Sequence, residues 1–143
     1  MALIADIQQE IVEEFSLFDT WEEKYEYLID LGKKLPAIDP LYKTEENKIK
    51  GCQSQVWMHS EYKDGHVFFQ ADSDAMIVKG LAGMLVRVFS GQKPADIVGA
   101  PVTFIDDIGM TSHLAQTRSN GLRAMLKQIK LDALAWQSKS SAT

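Results

Sequence analysis

The chain holds a single cysteine, Cys52, in unusual company. A lone free cysteine is most often a small buried hydrophobe. Here Gly51 precedes it, and Gln53, Ser54 and Gln55 follow, all polar. Glycine admits backbone angles closed to other residues. A polar, glycine-led segment suits a thiol that must meet another molecule. The chemistry open to it is attack by the thiolate on an electrophile, sulfur included. With an ordinary pKa near 8.5, about a tenth of such a thiol is ionised at about pH 7.5, and a one-unit depression raises that to about half. A positive or hydrogen-bonding group is therefore expected to support the thiolate. One thiol leaves no internal disulfide, no all-cysteine metal cage and no internal resolving partner.

Other reactive residues make weaker cases. Arg118 by itself reads as a solvated arginine ahead of a helix. Asp72 and Asp74 flank Ser73 and read best as anions that complement a helix start, rather than as a metal or acid–base pair. His59 and His66 stand on neighbouring strands, but no third ligand converges with them or with His113. Lys79 reads as a solvated residue of a helix stripe. Gly80 and Gly83, mid-helix, point to close packing against another element, since each costs about 1 kcal/mol relative to Ala. Their setting is wrong for a phosphate loop. Trp57 reads as core or hydrophobic cover, and no Ser-His-Asp arrangement is arguable from spacing.

The 143 residues fit one domain, here 1–137, followed by a tail, 138–143, expected to be disordered. Hydrophobic residues make up 45% and charged residues 24%, which excludes a disordered chain. The net charge of -5 argues against nucleic acid as a partner. No run approaches the ~20 apolar residues of a membrane span, and residues 1–14 are acidic and amphipathic without a basic leader, so a cytoplasmic protein is expected.

The elements that must position Cys52 follow from periodicity. Ile4, Ile7, Ile11 and Phe15 form one helical stripe. Thr20 and Glu23 make a capping box for a second helix, with Trp21, Tyr25, Leu28 and Ile29 inward and Pro36 as its stop. The connection from Pro36 to Gly51 is long enough to be either functional or poorly ordered. Residues 55–62 alternate as a strand, Asp64-Gly65 supplies the turn, and His66–Ala71 returns. Ser73 is expected to cap a helix over 74–90 that Gly91 ends, and Pro94 opens a short one. Val102–Ile105 reads as a third strand and 108–114 as a short helix. Ser119 is expected to cap a last helix with Leu122, Met125, Leu126, Ile129 and Leu134 inward. The sum is an α+β domain with a three-stranded antiparallel sheet against grouped helices.

Three segments together carry a family resemblance. Gly51-Cys52-Gln53-Ser54-Gln55-Val56-Trp57 resembles the cysteine motif of the SufE family. Asp72-Ser73-Asp74-Ala75 with Ile77-Val78-Lys79-Gly80-Leu81 resembles its second motif, and Thr117-Arg118-Ser119-Asn120-Gly121-Leu122 its third. Trp21-Glu22-Glu23-Lys24-Tyr25 and Leu31-Gly32 fit its first helices, so the likeness runs from about residue 2 to residue 131. The resemblance implies a SufE/NifU-like two-layer fold. It also implies a sulfur acceptor that takes persulfide sulfur on Cys52 from a PLP-dependent cysteine desulfurase, SufS- or CsdA-like, stimulates it, and passes the sulfur on for iron–sulfur assembly. Such a protein has no cofactor of its own and is not independently catalytic. A chain with one thiol carries a sulfur atom but lacks the soft ligands to nucleate a cluster alone. Gly51, Gln53 and Ser54 are then candidates for supporting the cysteine loop, Arg118 for stabilising the sulfur anion or bracing that loop, and Asp74 for contact with the partner. A homodimer is compatible with such a domain, but no interface stands out. Two other readings stay open at this level: a stand-alone thiol-dependent enzyme, and a pure interaction module with an incidental cysteine.

Overall fold

A computed structural model describes residues 3–141, with only the backbone described beyond 139. Helix α1 (Ile4–Ser16) turns its Ile4, Ile11, Phe15 stripe into the core. Helix α2 (Trp21–Lys34) starts at Thr20, whose hydroxyl accepts the Glu23 N–H at 3.2 Å and donates to the Glu23 carboxylate at 3.1 Å. The chain then forms the hairpin β1 (Val56–Lys63) and β2 (His66–Ser73). Asp64 and Gly65 both take positive φ, the two-residue turn that matches strand twist. Helix α3 (Met76–Phe89) is the central buried helix, with Leu81, Met84, Leu85, Val88 and Phe89 inside. Gly91, at φ 85°, follows it as expected. Helices α4 (Pro94–Gly99), α5 (Phe104–Ile108) and α6 (Gln116–Ser141) complete the fold.

Helices α2 and α3 touch backbone to backbone. A Cβ built on Gly80 would lie 2.2 Å from the Leu28 carbonyl oxygen, and one on Gly32 would lie 2.8 Å from the Gly80 nitrogen. These glycines trade helix propensity for a close crossing.

The fold is α+β, but the described sheet has two strands, not three. Val102–Ile105 is not a strand. Helix α5 starts at Phe104 because Gln8 of α1 captures that backbone: its side-chain N–H donates to Pro101 O at 3.0 Å, and its oxygen accepts the N–H groups of Thr103 and Phe104. The helix expected over 108–114 is only a 3₁₀ turn at Met110–Ser112, after Gly109 in left-handed conformation ends α5. Helix α6 begins at Gln116, three residues before the expected cap, with Ser119 buried inside it. Its backbone stays helical through Ser141, where a disordered tail was expected, and Ala142 and Thr143 lie outside the described residues. Leu134 is 48% exposed rather than core, and Ala133 takes the inward place.

The long connection 36–51 is ordered as a strap over the hairpin. It holds two 3₁₀ turns, Pro40–Tyr42 and Glu45–Asn47. Tyr42 stacks on His59 with centroids 3.5 Å apart and donates to Glu61 at 3.0 Å. Lys43 and Lys48 lie 4.6 and 5.9 Å over the Trp57 ring, so Trp57 is buried cover, as its pattern suggests.

Candidate functional site

Residues 50–54 form a short flap that carries Cys52, and the chain is pinned on both sides of it. On the N-terminal side, the Ile49 N–H donates to Val56 O at 2.8 Å and Ile49 is buried. On the C-terminal side, Gln55 meets the segment after β2. Its N–H donates to Asp74 Oδ1 at 3.0 Å, and its carbonyl accepts from Asp74 N at 3.2 Å and Ser73 Oγ at 2.9 Å. Between these feet the main chain makes a turn at 50–51 and bends at 53–54, outside any helix or strand. Gly51 holds φ 90°, a left-handed angle that favours glycine.

The flap lies over the first turns of α6. Cys52 Sγ sits 3.8 Å from Gly121 O as a weak donor, and a Cβ on Gly121 would stand 3.5 Å from the sulfur. Gln53 and Ser54 of the flap, Ala75 and Val78 of the α3 start, and Thr117, Arg118 and Gly121 of α6 complete a pocket of about 190 Å³ around Cys52. The structure thus brings together Cys52, Gln53, Ser54 and Arg118. Arg118 is exposed on the pocket wall, with no ion pair among the described residues. Gly51 lies against α6, 3.9 Å from Ala124 as measured to its virtual Cβ.

Cys52 is half-buried, and that burial pushes its thiol pKa up. The expected support for the thiolate is not expressed in this conformation: desolvation disfavours the charged form, and the contact at Gly121 is with an acceptor. In this conformation burial therefore favours the neutral thiol over the thiolate.

The acidic segment differs from its sequence reading. Asp72, Ser73 and Asp74 do not cap α3, which starts only at Met76. Asp72 is buried and pairs with Lys79 at 3.5 Å and Lys43 at 3.7 Å, so Lys79 is an ion-pair partner and not merely a solvated stripe residue. Ser73 Oγ and Asp74 hold the flap foot. His59 faces Gln70 and His66 faces Lys63 across the hairpin, and no group of three metal-ligating side chains occurs among the described residues. The bracing role of Asp74 had a signal: a two-residue turn at 64–65 sets the register that places Gln55 opposite Asp74. Ala75 and Val78 had none, because their place in the pocket depends on how α3 packs.

Comparison with known proteins gives the family and the fold. Residues 9–133 match the family model described as "SufE: Fe-S metabolism associated domain". An uncharacterized SufE-like protein of Rhizobium meliloti (strain 1021) is 40% identical over 129 residues, 87% of this chain and 92% of that protein. A second, from Rhizobium etli, is 40% identical over 130 residues and 87% of each chain. The fold is similar to the solution structure of a hypothetical protein from Thermus thermophilus, with TM-score 0.77 and 22% identity over 92% of this chain and 96% of that one. With the matched region spanning both flap feet and the first turns of α6, the chain belongs to the SufE family, whose domain is associated with iron–sulfur metabolism.

Proposed function

We propose that this protein is a sulfur carrier: Cys52 takes the outer sulfur of a persulfide held by a PLP-dependent cysteine desulfurase and delivers it to a downstream iron–sulfur scaffold. The observation that carries the reading is the placement of the chain's one thiol on a flap pinned at both feet over a pocket. The pocket lining includes no imidazole and no carboxylate among the described residues, which weighs against a stand-alone thiol hydrolase needing a base beside the nucleophile.

The transfer is a displacement at sulfur. Cys52 loses its proton, and the thiolate attacks the outer sulfur of the donor persulfide. A new bond forms between Cys52 Sγ and that sulfur, while the bond to the donor sulfur breaks and the donor leaves as a thiolate. The outer sulfur keeps its oxidation state, so no external oxidant or reductant enters. Burial keeps Cys52 protonated at rest. Swinging the flap about Gly51 on its two fixed feet brings the thiol toward water and the donor, where ionisation costs less. Arg118, exposed on the pocket wall beside the thiol, carries the fixed positive charge that suits a sulfur anion at the pocket mouth, and Gln53 and Ser54 support the flap. By accepting sulfur the protein frees the desulfurase for another turnover, which is how it stimulates that enzyme without catalysis of its own. A carrier thiol must stay reduced between loadings, which places the protein in the cytoplasm in this reading.

The test is mass spectrometry after incubation with a cysteine desulfurase and L-cysteine, without reductant. The wild type should gain one sulfur, and Cys52→Ser should gain none. A folded wild type that gains no sulfur with any desulfurase would refute the proposal.

A further inference from the structure

We propose that the outer face of α6 is the docking strip for the sulfur donor, and that it recognises carboxylates set around an apolar anchor. The inference rests on the carrier reading above and specifies the chemistry of its partner surface.

Charge is divided unevenly in this acidic chain. Helices α1 and α2 carry eight carboxylates against three lysines, whereas α6 carries five cations against one carboxylate. Lys130 turns inward onto the carbonyls of Ile97, Val98 and Ala100 at the end of α4. Arg118, Arg123 and Lys127 are exposed and have no ion-pair partner among the described residues. Arg123 and Lys127, four residues apart on one face of α6 in a protein with net charge -5, make a positive strip that an acidic surface complements, while Arg118 adds its charge at the Cys52 pocket.

The same face carries apolar groups. Arg123, Lys127, Leu131 and Leu134 recur at spacings of four, four and three, so they form one stripe, and Leu131 and Leu134 are 49% and 48% exposed. Beside this stripe lies a groove of about 250 Å³ walled by Val102, Ile105, Leu114 and Leu126, with Arg123 at its rim. The Asp106 carboxylate on that rim accepts from Thr111 at 2.7 Å and makes no ion pair with Arg123. The first turns of α6 separate the groove from the Cys52 pocket. Thr117, Arg118 and Gly121 line the pocket, while Ser119, Leu122 and Arg123 line the groove. A donor large enough to present a persulfide to Cys52 therefore covers these turns, and its contact extends along the strip.

The experiment measures sulfur loading of Cys52 as a function of desulfurase concentration. Arg123→Glu/Lys127→Glu should raise the concentration for half-maximal loading by roughly fivefold to tenfold, with the maximal rate preserved. Raising ionic strength from about 0.01 to about 0.15 M should weaken loading of the wild type more than that of the double variant, because the screening length falls from about 30 to about 8 Å. Lys63→Glu/Lys93→Glu makes the same change in net charge outside the α6 stripe, its groove and the Cys52 pocket, and should load like the wild type. A charge-reversed α6 that loads like the wild type, or a control pair that loses as much, overturns the docking strip. A wild type that takes no sulfur overturns the carrier reading and the strip together. Unchanged circular dichroism in both pairs establishes that the fold is intact.

Discussion

Removing the Asp74 carboxylate should loosen the cysteine flap and expose its thiol. Asp74 Oδ1 accepts the Gln55 N–H at 3.0 Å, while Ser73 Oγ, Asp74 N and Ile49 N supply the other bonds that fix the feet. A hydrogen bond to a charged acceptor is worth ~1.5–3 kcal/mol when shielded, and Asp74 is exposed, so about 1 kcal/mol is the appropriate figure here. That corresponds to roughly fivefold in the open-to-closed ratio of the flap. Because burial raises the Cys52 pKa, the closed flap is the unreactive one. Asp74→Ala should then react with a soluble disulfide reagent about fivefold faster at a fixed neutral pH. The midpoint of its rate–pH curve should move down toward the ordinary thiol value near 8.5. Asp74→Asn, which keeps an acceptor without the charge, should fall between. An unchanged rate and an unchanged midpoint in a folded Asp74→Ala protein would refute the idea that this foot governs the thiol.

Three further outcomes follow from the geometry. Gly80→Ala should cost about 3 kcal/mol or more in urea unfolding, since the new Cβ would meet the Leu28 backbone oxygen at 2.2 Å and backbone cannot yield as a side chain does; a near-neutral midpoint would contradict the crossing. Arg118→Ala should slow sulfur acceptance by Cys52 without changing the thermal midpoint, because its side chain is exposed on the pocket wall; a normal rate in a transfer assay would remove Arg118 from the mechanism. The hydrogen bond from Arg87, the largest cause, holds the Glu14 carboxyl below the usual carboxylate range, with a second bond from Tyr27. A depressed carboxylate stabilises above its unfolded pKa and loses that contribution as pH falls through its folded value. Acid titration of stability should show this loss below about pH 4 in the wild type, and Arg87→Met should lack it, at a cost of about 1 kcal/mol at neutral pH given the partial exposure of the pair.

The parts of the site that sequence reveals are those set by local rules. The glycine-led cysteine segment, the Thr20 capping box, the Asp64-Gly65 turn and the glycine-rich crossing of α3 all depend on neighbours within a few residues, or on one residue type with one physical use. The failures have distant causes. Val102–Ile105 has the look of a strand, and only Gln8, more than ninety residues earlier, supplies the acceptor that starts α5 there instead. Ser73 has the local look of a helix cap, but its hydroxyl donates across the hairpin to Gln55. The thiol's raised pKa depends on α3 and α6 closing a pocket around it, and no short window of sequence contains that enclosure.

A sheet of two strands consists of nothing but edges, and unpaired edges invite strands from other chains. Here each edge is occupied by a single bridge. Lys48 pairs with Trp57 beside β1, where Ile49 N meets Val56 O, and Gln92 pairs with Val67 beside β2, where Phe69 N meets Ser90 Oγ. The bond that anchors the reactive flap is thus also a stopper against intermolecular strand addition. Cutting the strap near Ile49 would release a mobile thiol and an adhesive edge at once, coupling loss of chemical control to aggregation.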